Sequence, residues 1–179
     1  MPKTSKEQIK KDERKIISLL QSDAGQSIDS IAKKCGFSRQ KVWRIIKRLE
    51  ENGTIWGYTA VTDNTKNEVK RFIVLIKRTA QPVDKDMVKK IIERDIEKMA
   101  KKANLEINLE NSYFVNGVYD WVISFTAKNL TEAKKFGEKI NMAYDGYIAE
   151  LQLLEEVFPV KTQGILNPNL EELKKFITD

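Results

Sequence analysis

The chain has no histidine and only one cysteine among its 179 residues. Without histidine it lacks the usual general base, the commonest metal ligand and the side chain that titrates near neutral pH. With Cys35 as its only cysteine it can form neither an internal disulfide nor a cysteine-based zinc cluster; Cys35 reads as a helix residue facing a core rather than a redox sensor. No Gly-rich phosphate loop, nucleophile elbow or clustered carboxylate motif stands in their place. The sequence thus points to no enzymatic activity, no metal and no cofactor. Long apolar runs are missing too: none approaches the roughly 18 residues that a bilayer span requires. The start, Met1-Pro2-Lys3-Thr4-Ser5-Lys6, lacks the apolar core of a signal peptide, so the expected location is cytoplasmic.

What is present is an ordinary folding composition, 41% hydrophobic and 32% charged, with an uneven charge. The net charge is +6. Residues 1–60 hold 13 Lys/Arg against 7 Asp/Glu, whereas residues 61–179 hold 19 of each. All the excess positive charge therefore lies in the first third, which suggests a polyanion partner for that part.

Three helices are expected there. The first begins near Thr4, where Thr4 and Glu7 have capping-box spacing, and runs to about Gln21 with Ile9, Ile16, Ile17 and Leu20 inward. The second follows Ser27, with Ile28, Ile31, Ala32 and Cys35 at helical spacing and Gly36 as its stop. Ser38 is the expected N-cap of the third, which ends before Asn52-Gly53. Val42, Ile45, Ile46 and Leu49 share one face of it, and Gln40, Arg44 and Lys47 lie opposite at about 100° per residue.

From Ser38 to Arg48 there are five basic residues and no acidic one. Ser38 and Arg39 sit where a helix start suits a phosphate. Such a helix can enter the major groove of double-stranded DNA while its other face is held by two supporting helices. Ala32, Gly36, Val42 and Ile45 have the offsets this helix-turn-helix arrangement needs: close approach, turn and two core anchors. The expected DNA-binding residues are Ser38, Arg39, Gln40, Lys41, Trp43, Arg44, Lys47 and Arg48. For Trp43, partial packing against a neighbour is the alternative.

The stretch from Asp12-Glu13-Arg14-Lys15-Ile16 through Arg48-Leu49-Glu50-Glu51-Asn52-Gly53-Thr54-Ile55 and Gly57-Tyr58-Thr59-Ala60 resembles the Lrp/AsnC (feast/famine) transcription regulators. That resemblance implies an N-terminal winged helix-turn-helix, a connecting strand at residues 54–61 and a ferredoxin-like effector domain that self-associates. Trp56 and Tyr58 could then pack across a dimer, with ordinary hydrophobic shielding as the alternative.

The remaining sequence fits an α+β domain. Asp63-Asn64-Thr65 opens a linker. The apolar run Phe72-Ile73-Val74-Leu75-Ile76 reads as a strand buried on both faces. A helix over 84–103 follows, with Val88, Ile91, Ile92, Ile96, Met99 and Ala103 inward and Lys89, Lys90, Glu93, Arg94, Glu97 and Lys101 opposed. Ile107, Leu109, Tyr113 and Val115 suggest a second strand; Trp121, Ile123 and Phe125 suggest a third. Asn129 and Glu132 open a helix with Ala133, Phe136, Ile140 and Tyr144 inward, and residues 148–158 form the last strand. The order is βαββαβ, a split ferredoxin-like sandwich whose second sheet face is best buried by a further copy of the chain.

Val115-Asn116-Gly117-Val118-Tyr119-Asp120 is similar to the family's effector loop, which implies that Gly117, Tyr119 and Asp120 bind a small molecule, an amino acid by family expectation, at a subunit interface. Taken alone, the same residues read as a tight turn, with Gly117 supplying an unusual φ and Asp120 receiving turn hydrogen bonds. A C-terminal helix starting at Asn167-Pro168, with Leu170, Leu173 and Ile177 as its stripe, completes the chain.

The expected division is 1–53 (helix-turn-helix), 54–66 (connecting strand and linker), 67–158 (effector and oligomerisation domain) and 159–179 (extension). The expected function is that of a sequence-specific regulator acting as a homodimer or larger oligomer. Two other readings remain at this stage. One is an architectural protein that coats DNA with little sequence preference. The other is an enzyme on modified tetrapyrroles, as in a divergent branch of the family, which the absence of histidine disfavours.

Overall fold

A computed structural model describes residues 5–93 and 95–177, the side chain of Phe176 excepted. The chain forms two compact units: the described residues of Met1–Val61 with Val160–Asp179, and Thr62–Pro159.

In the first unit, α1 spans Lys6–Ser22, α2 Ile28–Cys35 and α3 Arg39–Glu51. Each follows a serine whose hydroxyl oxygen accepts a backbone N–H of the first turn: Ser5 from Gln8, Ser27 from Ser30, Ser38 from Lys41. Ser5 thus holds the position that the sequence suggested for Thr4, which lies outside the described residues. Gly36 ends α2 with φ 69, a left-handed conformation that glycine adopts without a Cβ penalty. The helices close over Ile16, Ile31, Ala32, Val42, Ile45 and Leu49, with Cys35 half-buried beside them.

The connecting strand expected at 54–61 is not formed. A strand exists through ladder hydrogen bonds to a neighbour, and among the described residues none lies alongside this segment. Instead Ile55 N–H returns to Leu49 O at 2.9 Å and the Tyr58 hydroxyl donates to Glu50 Oε1 at 2.9 Å, while Trp56 is left 97% exposed. At the other end of the chain, β5 (Lys161–Thr162) and β6 (Ile165–Leu166) form a hairpin that the sequence reading missed. Its signal is Gln163-Gly164: both residues have positive φ, as a two-residue type I′ turn requires. The expected C-terminal helix shrinks to a 3₁₀ turn at Leu170–Glu172 and the short α7, Leu173–Ile177. Of the expected stripe, Leu170 and Leu173 are half-buried and Ile177 is 74% exposed.

The second unit has the βαββαβ order. Its strands are β1 (Lys70–Arg78), β2 (Asn108–Phe114), β3 (Trp121–Ala127) and β4 (Ile148–Glu155), arranged β2-β3-β1-β4 and antiparallel throughout. Period-2 alternation places Phe72, Val74 and Ile76 beside Phe125, Ile123 and Trp121 on one face. There they meet α4 (Lys85–Ile92), α5 (Asp95–Lys102) and α6 (Leu130–Ala143). Asn129 caps α6, and Ala133, Phe136, Ile140 and Tyr144 face the core as expected.

Two expectations for this unit need correction. The single helix over 84–103 is two helices, with the break after Ile92; Arg94 lies outside the described residues. Met87 and Ile91 form the inward row of α4, and Ile96, Met99 and Ala100 that of α5. The break shifts the phase, which leaves Val88 and Ile92 exposed. In β2 a register shift between Leu109 and Asn111 reverses the alternation. Phe114 therefore lies on the Trp121 side of the strand and stacks on that ring, with centroids 5.2 Å apart, although it stays as exposed as Tyr113 on the other side.

Candidate nucleic-acid interface

Helix α3 is held from below and open above. Val42, Ile45 and Leu49 are at most 5% exposed, and Gln40, Trp43, Arg44 and Lys47 project from the opposite face. No acidic residue occupies its first turn. Ser38, Arg39 and Arg48 are exposed as well, and Lys41 is half-buried.

The structure divides the expected DNA-binding residues into two groups. Lys41 and Arg48 are engaged with α1. Lys41 Nζ lies 2.6 Å from Asp12 Oδ2 and 3.9 Å from the Phe37 ring centroid; Arg48 reaches Glu13 Oε1 at 2.9 Å. Asp12, which the sequence reading did not single out, is 2% exposed and also accepts from Gln8 Nε2 at 2.8 Å. The hydrogen bond from Lys41 holds its carboxyl below the ordinary value, outweighing the opposing effect of burial. Its place in a helix that otherwise buries aliphatic residues was the available signal. The buried apolar row of α3 determines which side chains face outward, and these two pairs join its flank to α1.

The second group is presented to solvent. Arg39 makes only an exposed pair with Asp29 at 3.4 Å, a contact of little energetic weight. Lys47 lies 5.1 Å from the Trp43 ring centroid and 3.8 Å from Glu51. Arg44 Nε donates to Gln40 O at 3.3 Å, and among the described residues no carboxylate pairs with its guanidinium. The outward face is thus a patch of cations around one aromatic ring.

Alanine at Asp12 is expected to lower the stability of this unit by about 2 kcal/mol at pH 7, since charged buried hydrogen bonds contribute about 1.5–3 kcal/mol. Lys41 can turn to water, which keeps the cost below that of stranding a buried charge. A carboxyl held low stabilises the fold above its unfolded value of 3.8 and loses that contribution as pH falls through the folded value. The gap between wild type and Asp12→Ala in urea unfolding should therefore be full at pH 7 and shrink below pH 3.8. A gap that does not change with pH would show that the Asp12 charge is not the source.

The expected effector residues lie in the loop between β2 and β3. Gly117 has no left-handed φ, contrary to the turn reading, and a Cβ there would meet nothing within 4 Å. Asp120 serves both its own turn and β1: its backbone O accepts from the Val115 N–H at 2.9 Å, as the turn reading expects, while Oδ2 accepts from the Arg78 backbone N–H at 2.8 Å and Oδ1 lies 3.5 Å from Arg78 Nε. This follows from its place just before β3, whose Trp121 pairs with Ile76 of β1. Tyr119 is half-buried. Arg78 also lines an apolar hollow of about 290 Å³ with Met87, Ile91, Ile92 and Phe114. On the sheet face away from the helices, Ile73, Leu75 and Val122 are half-buried and Leu154 is exposed. Arg71 there bridges Glu110 and Glu156, and those carboxylates raise its pKa. Among the described residues no group of His, Cys, Asp and Glu could hold a metal ion, and no helix is long and apolar enough to cross a membrane.

Residues 13–55 match the winged helix-turn-helix DNA-binding family. No curated protein matches the chain in sequence. Solved structures with the same fold include LrpC of B. subtilis, at 20% identity over 90% of this chain and 99% of that one, TM-score 0.58. An AsnC-family transcriptional regulator of Agrobacterium tumefaciens shares 20% identity over 93% and 97%, TM-score 0.60. The feast or famine regulatory protein of M. tuberculosis, complexed with L-methionine, shares 16% over 86% and 95%, TM-score 0.64. At these identities the likeness establishes the fold: an α+β chain with a helix-turn-helix and a ferredoxin-like unit.

Proposed function

We propose that the chain is a DNA-binding transcription regulator of the Lrp/AsnC type, which inserts α3 into the major groove and carries no enzymatic activity. The observation that carries this reading is the outward face of α3, where Gln40, Trp43, Arg44 and Lys47 project from a helix anchored by Val42, Ile45 and Leu49. Ser38 and Arg39 serve the phosphates at its start, and Lys41 and Arg48 join its flank to α1 through Asp12 and Glu13. The match of residues 13–55 to a DNA-binding family supports the same surface. The working division is the one drawn from the sequence, with DNA binding in 1–53, a connection over 54–66, effector binding and self-association in 67–158, and an extension over 159–179.

The assembly is a homodimer or larger homo-oligomer, supported by the apolar centre of the open sheet face. It places two copies of α3 on half-sites about one turn of DNA, roughly 34 Å, or a multiple of that apart. Its effector is an amino acid bound near Gly117, Tyr119 and Asp120, a reading supported by the L-methionine complex of the M. tuberculosis neighbour. Ligand that favours one assembly over another changes which sites are occupied. The protein acts in the cytoplasm.

The test is selection of genomic fragments by the protein at about 150 mM salt, followed by sequencing. A few promoters sharing an inverted repeat are expected. Indiscriminate recovery would make the protein an architectural DNA-coating factor, and no recovery would remove DNA binding altogether.

A further inference from the structure

On the outward side of the helix-turn-helix, a hollow of about 480 Å³ is lined by Ile28, Arg39, Gln40, Trp43 and Arg44. Its two apolar members come from different helices: Ile28 is the first residue of α2, and Trp43 lies one turn into α3. Trp43 is 51% exposed although it sits among cations. No carboxylate lines the hollow, and Lys47 stands over the Trp43 ring. A phosphate gains nothing from an apolar wall. A base edge can, and in the major groove only one unmodified base presents an apolar group: thymine, through its C5-methyl.

We infer that the Ile28–Trp43 hollow reads thymine through its C5-methyl group, so that Trp43 determines base specificity rather than general affinity. This rests on the DNA-binding reading above and deepens it. The surrounding residues suit the same base pair or its neighbour. Gln40 has the side chain that bonds adenine N6 and N7 in the major groove, and adenine is thymine's partner. Arg39 and Arg44 supply the positive charge that holds the phosphates on either side. The apolar wall thus faces a methyl group while its rim faces the backbone.

The experiment uses duplexes that the full-length protein selects from a random pool, synthesised with thymine or with deoxyuridine at every thymine position. Deoxyuridine keeps the pairing edge and removes only the methyl. Burial of one methyl is worth about fourfold in affinity, and two half-sites about fifteenfold. Wild type should therefore bind the deoxyuridine duplexes about four- to fifteenfold more weakly. Trp43→Ala, at an exposed position, should bind thymine duplexes more weakly and separate the two duplexes by less than about twofold; Trp43→Phe, which keeps an apolar ring, should retain most of the discrimination. Equal wild-type binding to both duplexes would overturn the inference and leave the regulator reading standing. Full discrimination retained in Trp43→Ala would overturn it too, since the methyl would then be read elsewhere or through duplex shape. Failure to select any duplex would overturn the regulator reading and this inference with it.

Discussion

Alanine at both Arg44 and Lys47 is expected to weaken binding to a selected DNA fragment by about 2–4 kcal/mol, or roughly 30- to 1,000-fold, without changing the oligomeric state. Both side chains leave α3 on the face opposite Val42 and Leu49, so their removal takes nothing from the core. Arg44 makes no ion pair among the described residues, and the Lys47 pair with Glu51 is long and exposed. Little folding energy is therefore at stake.

The salt dependence separates this effect from general loss of positive charge. Each phosphate contact released lowers the slope of log affinity against log salt by about 0.9. The double variant should show a shallower slope than wild type. Arg48→Ala should leave the slope close to that of wild type, because that guanidinium already neutralises Glu13. If Arg44→Ala/Lys47→Ala binds with unchanged affinity and slope, the DNA surface lies elsewhere. If Arg48→Ala has the larger effect, the division of cations into outward and α1-bound groups is wrong.

That division is what the sequence could not supply. The helical period put Val42, Ile45 and Leu49 on one side and Gln40, Arg44 and Lys47 on the other, because spacing along one helix determines its faces. Whether Lys41 and Arg48 face DNA or α1 depends on residues roughly thirty positions earlier, Asp12 and Glu13, and on the roll of one helix against another. Tertiary packing decides that, and no local pattern encodes it. The same holds for β2, where one extra residue reversed the inward and outward sides of Tyr113 and Phe114. The helix over 84–103 shows a different limit. Its apolar residues suit a continuous pattern, yet the chain breaks after Ile92 and begins a new phase at Asp95. The connecting segment 54–61 is illegible for a third reason, since a strand is a property of two segments and the sequence displays only one. The caps were easier, because Ser27, Ser38 and Asn129 act on N–H groups within their own helices.

The second large effect is on stability. Phe125→Ala is expected to destabilise the unit formed by residues 62–159 by about 3–5 kcal/mol. Phe125 is fully buried at the centre of β3, where the helices close over the sheet. Its ring lies 5.8 Å from Phe72 on the neighbouring strand and 4.7 Å from Phe136 on α6, so truncation opens a cavity between two layers. With urea slopes of about 1–3 kcal/mol per molar, the unfolding midpoint should fall by about 2 M. The chain carries its own reporter: Trp121 is 2% exposed and donates to Ser112 Oγ at 2.8 Å, whereas Trp43 and Trp56 are 51% and 97% exposed. The short-wavelength part of the tryptophan emission therefore follows the second unit alone. Val118→Ala, at a residue 74% exposed, should stay within about 0.5 kcal/mol of wild type. A Phe125→Ala midpoint as close to wild type as that of Val118→Ala would mean that β3 and α6 do not share the core described above.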